Sequence, residues 1–160
     1  MSDSLSHFDK DGRPQMVNVG AKAASERVAI AAGFVRLTPE CVAIVRDQKL
    51  AKGDVLAIAE LAGIMGAKQT ATLIPLCHPL GLDHVGLRLQ LSDEGISIEA
   101  ECHITGKTGV EMEAMTAVSI AALTVYDMCK AADKAITIEE IRLLHKSGGK
   151  SGVFNAVPKE

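Results

Sequence analysis

The sequence predicts an α+β domain, an antiparallel sheet with helices packed on one face. HVGLRLQL and ISIEAECHI each alternate apolar and polar residues, and Ser92-Asp93-Glu94-Gly95 joins them as the turn of a β-hairpin. Gly109 to Ala132 repeats apolar residues at helical spacing and reads as a long helix lying across a sheet. The third observation is order. Strand, helices, strand, strand, helix, strand is the ferredoxin-like α+β succession.

In chain order, Met1 to Pro14 is polar, contains an Asp11-Gly12 turn, and is expected to be a flexible segment. MVNVGAK is expected as a short edge strand. From Arg27 to Leu37, Val28, Ile30, Ala32 and Phe34 alternate as a strand does, with the alanines leaving a helix open as the alternative. Thr38-Pro39-Glu40 combines a capping hydroxyl, proline at the first helical position and an acid in the first turn, so a helix starts there and is expected to run to about Lys49. A second helix starts near Asp54 and ends before Pro75, with Lys52 in the loop between them. In the hairpin, Leu91 facing Ile96 sets Arg88 opposite Glu99, an attractive cross-strand pair, and His84 opposite His103. One face of that ribbon is then Val85, Leu87, Leu89, Ile98, Ala100 and Cys102, directed at the helices. A last strand covers Ile136 to His145, although Thr137-x-x-Glu140 also fits a helix cap. Residues 15–145 thus form one domain, and residues 146–160 a glycine- and lysine-rich flap and tail.

At 160 residues the chain is long enough to bury roughly two thirds of its unfolded surface. A net charge of -3 and 2% aromatic residues give neither a basic field nor a stacking platform for nucleic acid. Cys41, Cys77, Cys102 and Cys129 lie far apart with no C-x-x-C pair, which fits reduced thiols in a cytoplasmic protein better than disulfides or a zinc ribbon. No run approaches the ~18 apolar residues that a membrane helix needs, so no membrane association is expected.

Candidate chemistry clusters in a few places. KSGGKSG near the end contains Gly149-Lys150-Ser151, but the nucleoside-triphosphate loop G-x-x-x-x-G-K-[ST] needs glycine where Leu144 stands. TGKTG fails likewise, with Glu101 at the glycine position, yet Gly106-Lys107-Thr108-Gly109 between a strand and a helix has the makings of an anion-binding turn. Lys52, Lys107, Lys146 and Lys150 all stand within two residues of a glycine, in loops or at helix starts, and together they suit a polyphosphate. In LIPLCHPL, Pro75 and Pro79 stiffen an extended backbone around Leu76, Cys77 and His78, where a helix ends and a strand approaches. Cys102 is most simply a small core residue. His84 and His103, near Asp83 and Cys77-His78, match no standard metal spacing, so no metal is expected.

The long helix has two faces. Ala114, Ala117, Val118, Ala121, Ala122, Val125, Met128, Cys129 and Ala132 should meet the sheet; nearly opposite lie Thr116, Ile120, Leu123, Asp127, Lys130 and Lys134. Asp127 and Lys130 are three apart and can touch, as a surface ion pair or as an acid/base couple.

LIPLCHPL, TGKTGVEMEAMTAVSIAALTVYDMCKA and RLLHKSGGKSG resemble the MoaC family, the cyclic pyranopterin monophosphate synthases of molybdenum cofactor biosynthesis, and the likeness runs from MVNVGAK to SGGKSG. The resemblance implies a nucleotide-derived substrate, 3',8-cyclo-7,8-dihydroguanosine 5'-triphosphate, and as products cyclic pyranopterin monophosphate and pyrophosphate. It implies that Asp127 and Lys130 are the catalytic pair. Leu76-Cys77-His78 and Glu111-Met112-Glu113 would hold the purine-derived end, and Lys52 and Lys146 the phosphates, with Lys107 and Lys150 as further phosphate contacts. Rebuilding a purine ring this way needs proton transfers and charge neutralisation, so no cofactor is expected, and Lys130 would act best with its pKa lowered. The rival reading is a binding module. An RNA reader would carry aromatics on its central strands, where this chain has His, Arg, Gln, Ser and Glu; a sensor of a phosphorylated ligand is harder to separate from an enzyme.

Two further expectations follow. Lys146-Ser147-Gly148-Gly149-Lys150 should be a disordered flap that orders over a triphosphate. Glu113 and Asp127, fourteen positions apart, would lie roughly 21 Å apart in one straight helix at about 1.5 Å per residue. Either the helix starts late or two chains share each site. The resemblance implies the latter, in a hexamer built from dimers.

Overall fold

The computed structural model describes residues 7–48 and 53–157. Strands β1 (Ser25–Arg36), β2 (His84–Leu91), β3 (Gly95–Gly106), β4 (Thr137–Gly149) and β5 (Gly152–Asn155) form one antiparallel sheet in the order β2-β3-β1-β4-β5. Helices α1 (Pro39–Arg46), α2 (Val55–Lys68) and α3 (Thr70–Leu73) connect β1 to β2, and α4 (Glu111–Cys129) connects β3 to β4. Beneath β5 this is the ferredoxin-like arrangement, and the fold class is α+β as the sequence predicts.

Local signals explain most boundaries. Thr38 caps α1 through Oγ1, which accepts from the Cys41 N–H, with Pro39 in the first turn; Asp54 caps α2 by accepting from the Leu56 and Ala57 N–H groups. α1 stops at Arg46, short of the expected Lys49, because Gln48 turns to a φ of 53° that no helix continues through. The hairpin register is the predicted one, with Leu91 opposite Ile96, Arg88 opposite Glu99 and His84 opposite His103. The ribbon's inner face packs as expected: Ile98, Ala100 and Cys102 are buried, and Val85, Leu87 and Leu89 lie against the same core.

α4 supplies much of that core. Ala114, Ala117, Val118, Ala121, Ala122, Val125, Met128 and Cys129 are buried, but Ala132 lies beyond the helix end and is exposed. By length and composition α4 is apolar enough to cross a bilayer; here its apolar face is buried in the domain, so length alone does not argue for a membrane. Small residues let α2 approach it closely. A β-carbon at Gly63 would fall 2.3 Å from Leu87 Cδ2 and 3.0 Å from the Ala117 carbonyl oxygen. Ile120 lies against Gly66, so this residue of the expected outward face is covered by α2, and Thr116 is buried too; Leu123 stays 54% exposed.

Two expectations about the chain ends are corrected. MVNVGAK forms no strand, because its backbone bonds locally and to side chains instead of to a neighbouring strand. The last strand does not stop at His145. β4 continues to Gly149 and pairs with β1 through Val28 and Ser147, then turns into β5, so residues 146–149 of the expected flap are part of the sheet. Gly148 makes this possible: at φ 90° its backbone passes so near β1 that a β-carbon would collide with the Glu26 carbonyl.

Candidate active site

Several stretches converge on a cleft of about 620 Å³, within the usual range for a small-molecule site. The rigid Leu76-Cys77-His78 segment forms one side. The Lys107-Thr108-Gly109 turn and the first turn of α4, with Glu111, Met112 and Glu113, form the next, and Lys146 of β4 with Lys150 of the following turn completes the rim. The structure therefore brings together nine of the residues singled out from sequence. Lys52 lies outside the described residues.

The cleft is strongly cationic for a chain of net charge -3. Lys22, Arg27, Lys107, Lys146 and Lys150 line it against two carboxyls, Glu111 and Glu113. Lys146 Nζ donates to Glu111 Oε1 at 3.0 Å, both half-buried, which holds one cation ready inside. α4 begins here with Val110 at its cap, a side chain that offers its first amides no acceptor. An anion entering this end meets ammonium groups and the positive end of a helix together.

Glu113 is the unusual group. It is 4% exposed, and burial pushes its carboxyl up to about 7 from 4.5, with the charge of Glu111 adding to the rise. A carboxyl that titrates near neutrality can both give and take a proton. Burial and the nearby Glu113 charge also raise the Cys77 thiol, so it stays protonated and less nucleophilic. Cys102, pushed by burial to about 12, is an inert core residue, as its place on the strand predicts.

The match to known proteins is nearly complete in length. Residues 16–149 match the model of the MoaC family. The chain belongs to the MoaC family. It is similar to proteins named cyclic pyranopterin monophosphate synthase from Desulfitobacterium hafniense, 56% identical over 151 residues that cover 94% of this chain and 93% of that one. A second, from Dinoroseobacter shibae, is 56% identical over 154 residues, covering 95% and 98%. The same name belongs to a relative from Bordetella avium, 55% identical over 157 residues, covering 95% and 97%.

Asp127 and Lys130, the pair singled out from the MoaC resemblance, do not line the cleft. They form an ion pair of 2.7 Å between Lys130 Nζ and Asp127 Oδ1, more than half exposed on both sides. The hydrogen bond and charge of Asp127 raise the Lys130 pKa, opposite to the lowering that would suit a proton donor. Because α4 starts at Glu111, the late-starting helix is excluded: Glu113 and Asp127 share one helix and are separated by roughly 21 Å along its axis.

Sequence reasoning did not single out Lys22 and Arg27. Arg27 is the third residue of β1, read from the sequence only as the start of that strand, and its Nε donates to the Gly106 carbonyl at the end of β3. The signal that could have found both is their position at the entry to the first strand, Lys22 just before it inside MVNVGAK, where the family likeness begins, and Arg27 in its first residues. His84 and His103 pair as predicted, their rings 5.3 Å apart edge to face, and His103 Nε2 meets Glu101 Oε1 on the sheet face away from the helices. Among the described residues no group of three or more His, Cys, Asp or Glu side chains is placed to hold a metal ion.

Proposed function

We propose that this MoaC-family chain is a lyase of molybdenum cofactor biosynthesis. It converts 3',8-cyclo-7,8-dihydroguanosine 5'-triphosphate into cyclic pyranopterin monophosphate and releases pyrophosphate. The observation that carries this reading is the cleft itself, where five basic side chains surround a buried carboxyl titrating near neutrality. A triphosphate needs the first, and a ring rearrangement by proton transfer needs the second. Leu76-Cys77-His78 and Glu111-Met112-Glu113 take the purine-derived end, and Lys146, Lys107 and Lys150, with Lys52 from outside the described residues, take the phosphates.

Asp127 and Lys130 act from a second copy of the chain. Support comes from exposed apolar side chains that a partner would cover: Leu123 and Tyr126, within about a turn of Asp127 on α4, and Leu61 and Met65 on α2, the helix packed beside it. A partner also reverses the electrostatics. A cationic cleft brought against Lys130 pushes its pKa down, where Asp127 alone holds it up. The assembly is then a dimer with shared sites, and three such dimers make the hexamer that the family resemblance implies. The free thiols support a cytoplasmic setting.

Purified protein given the cyclic dihydro-GTP derivative should release one pyrophosphate per substrate consumed. Tight binding without release would replace the enzyme by a sensor of a phosphorylated ligand.

A further inference from the structure

We infer that His78 and Lys107 are positioning residues: they strap the segment from Met16 to Lys22 along one wall of the cleft and so set Lys22 for an anion. Among the described residues no backbone hydrogen bond joins residues 16–23 to the rest of the chain. The segment is folded on itself by a turn, with Asn18 Oδ1 accepting from the Gly20 N–H and the Val19 carbonyl from the Lys22 N–H. Two side chains from loops distant in sequence tie that turn to the domain. His78 Nε2 donates to the Val17 carbonyl at 2.8 Å, and Lys107 Nζ donates to the Gly20 carbonyl at 2.7 Å. Val17, Val19 and Lys22 line the cleft as a result.

The chemistry of each tether decides what is left for a ligand. A carbonyl can only accept, so Nε2 carries the hydrogen, and in neutral His78 only Nδ1 remains, as an acceptor. His78 held this way receives an N–H or a proton from a substrate and does not donate to it while neutral. Lys107 has three N–H donors and spends one on Gly20, which leaves two for an anion and fixes the ammonium in place before the anion arrives. Lys22 comes two residues after the Lys107 anchor, so its approach to the cleft depends on both tethers.

The inference uses the proposed function only to choose a probe, inorganic pyrophosphate. One arm needs no ligand: tryptic cleavage after Lys22 in the full-length chain, timed by mass spectrometry. His78→Ala and Lys107→Met should each speed that cleavage by about tenfold by raising the open population, while His78→Gln, which keeps an N–H donor at the reach of Nε2, stays near the wild-type rate. Unchanged cleavage in both variants, with cooperative melting intact, would overturn the strap. The second arm is calorimetry with pyrophosphate on Lys22→Met, His78→Ala and the double variant. If His78 acts through Lys22, the double variant binds no more weakly than the weaker single; fully additive losses would overturn the positioning role. Pyrophosphate that failed to bind the wild-type chain would count against the proposed function, while the cleavage arm would still decide the strap.

Discussion

The two ends of α4 carry the same kind of chemistry in opposite surroundings. At its start, Glu113 is 4% exposed, faces a cationic cleft and titrates near neutrality. Near its end, Asp127 and Lys130 pair in solvent, and Asp127 holds the Lys130 pKa up. Desolvation makes a side chain reactive, and one chain supplies it at one end only. The first end is a site as it stands. The second is, within one chain, a surface ion pair, and it becomes a site only when something covers it.

The largest effect expected is at the exposed end. Asp127→Asn and Lys130→Ala should each lower single-turnover rates by at least about 100-fold, the lower range for losing a general acid or base. A loss under about tenfold would return the pair to the surface. Next comes sharing. Inactive Glu113→Ala and Asp127→Ala chains, co-expressed and purified as mixed oligomers, should recover about a quarter of wild-type activity, because half of random two-fold dimers are mixed and each has one intact site of two. No recovery, once chain exchange is verified by mass spectrometry, would confine each site to one chain.

The buried end is sharpened by pH. The folded pKa of Glu113 lies above its ordinary value, so between about 4.5 and 7 the native state binds more protons than the unfolded one. Stability should therefore fall as pH rises through that window, by an amount on the order of a few kcal/mol at most. Denaturant titrations of wild type and Glu113→Gln should show that slope only in the wild type. The smallest effect returns to the exposed pair: Asp127→Asn should leave the thermal midpoint essentially unmoved, since solvent screens that interaction. A clear drop in midpoint would mean that Asp127 is structural.

What could be read from the sequence was local. The hairpin register followed from strict alternation and one turn, and the starts of α1 and α2 from Thr38 and Asp54, because in each case the deciding atoms are within a few residues. MVNVGAK was misread because its partners are side chains 61 and 87 residues away, which no short-range pattern records. The strand through Gly148 was misread for a related reason: glycines usually signal freedom, and here one signals contact with Glu26. For the site, prolines and glycines marked the segments of Leu76, Cys77, His78 and Lys146, whereas Glu111 was singled out only through the family resemblance. Their convergence, the arrival of Lys22 and Arg27, and the raised pKa of Glu113 are properties of packing and burial that appear only in the fold.

The scarcity of aromatic residues has a practical consequence at the second end of the helix. The chain contains no tryptophan and a single tyrosine, Tyr126, partly exposed and adjacent to Asp127. Its intrinsic fluorescence therefore comes from one known place, without labels or engineered probes. With excitation at wavelengths too long for phenylalanine to absorb, a change in the emission of the unmodified protein on dilution or assembly reports the surroundings of that turn of α4.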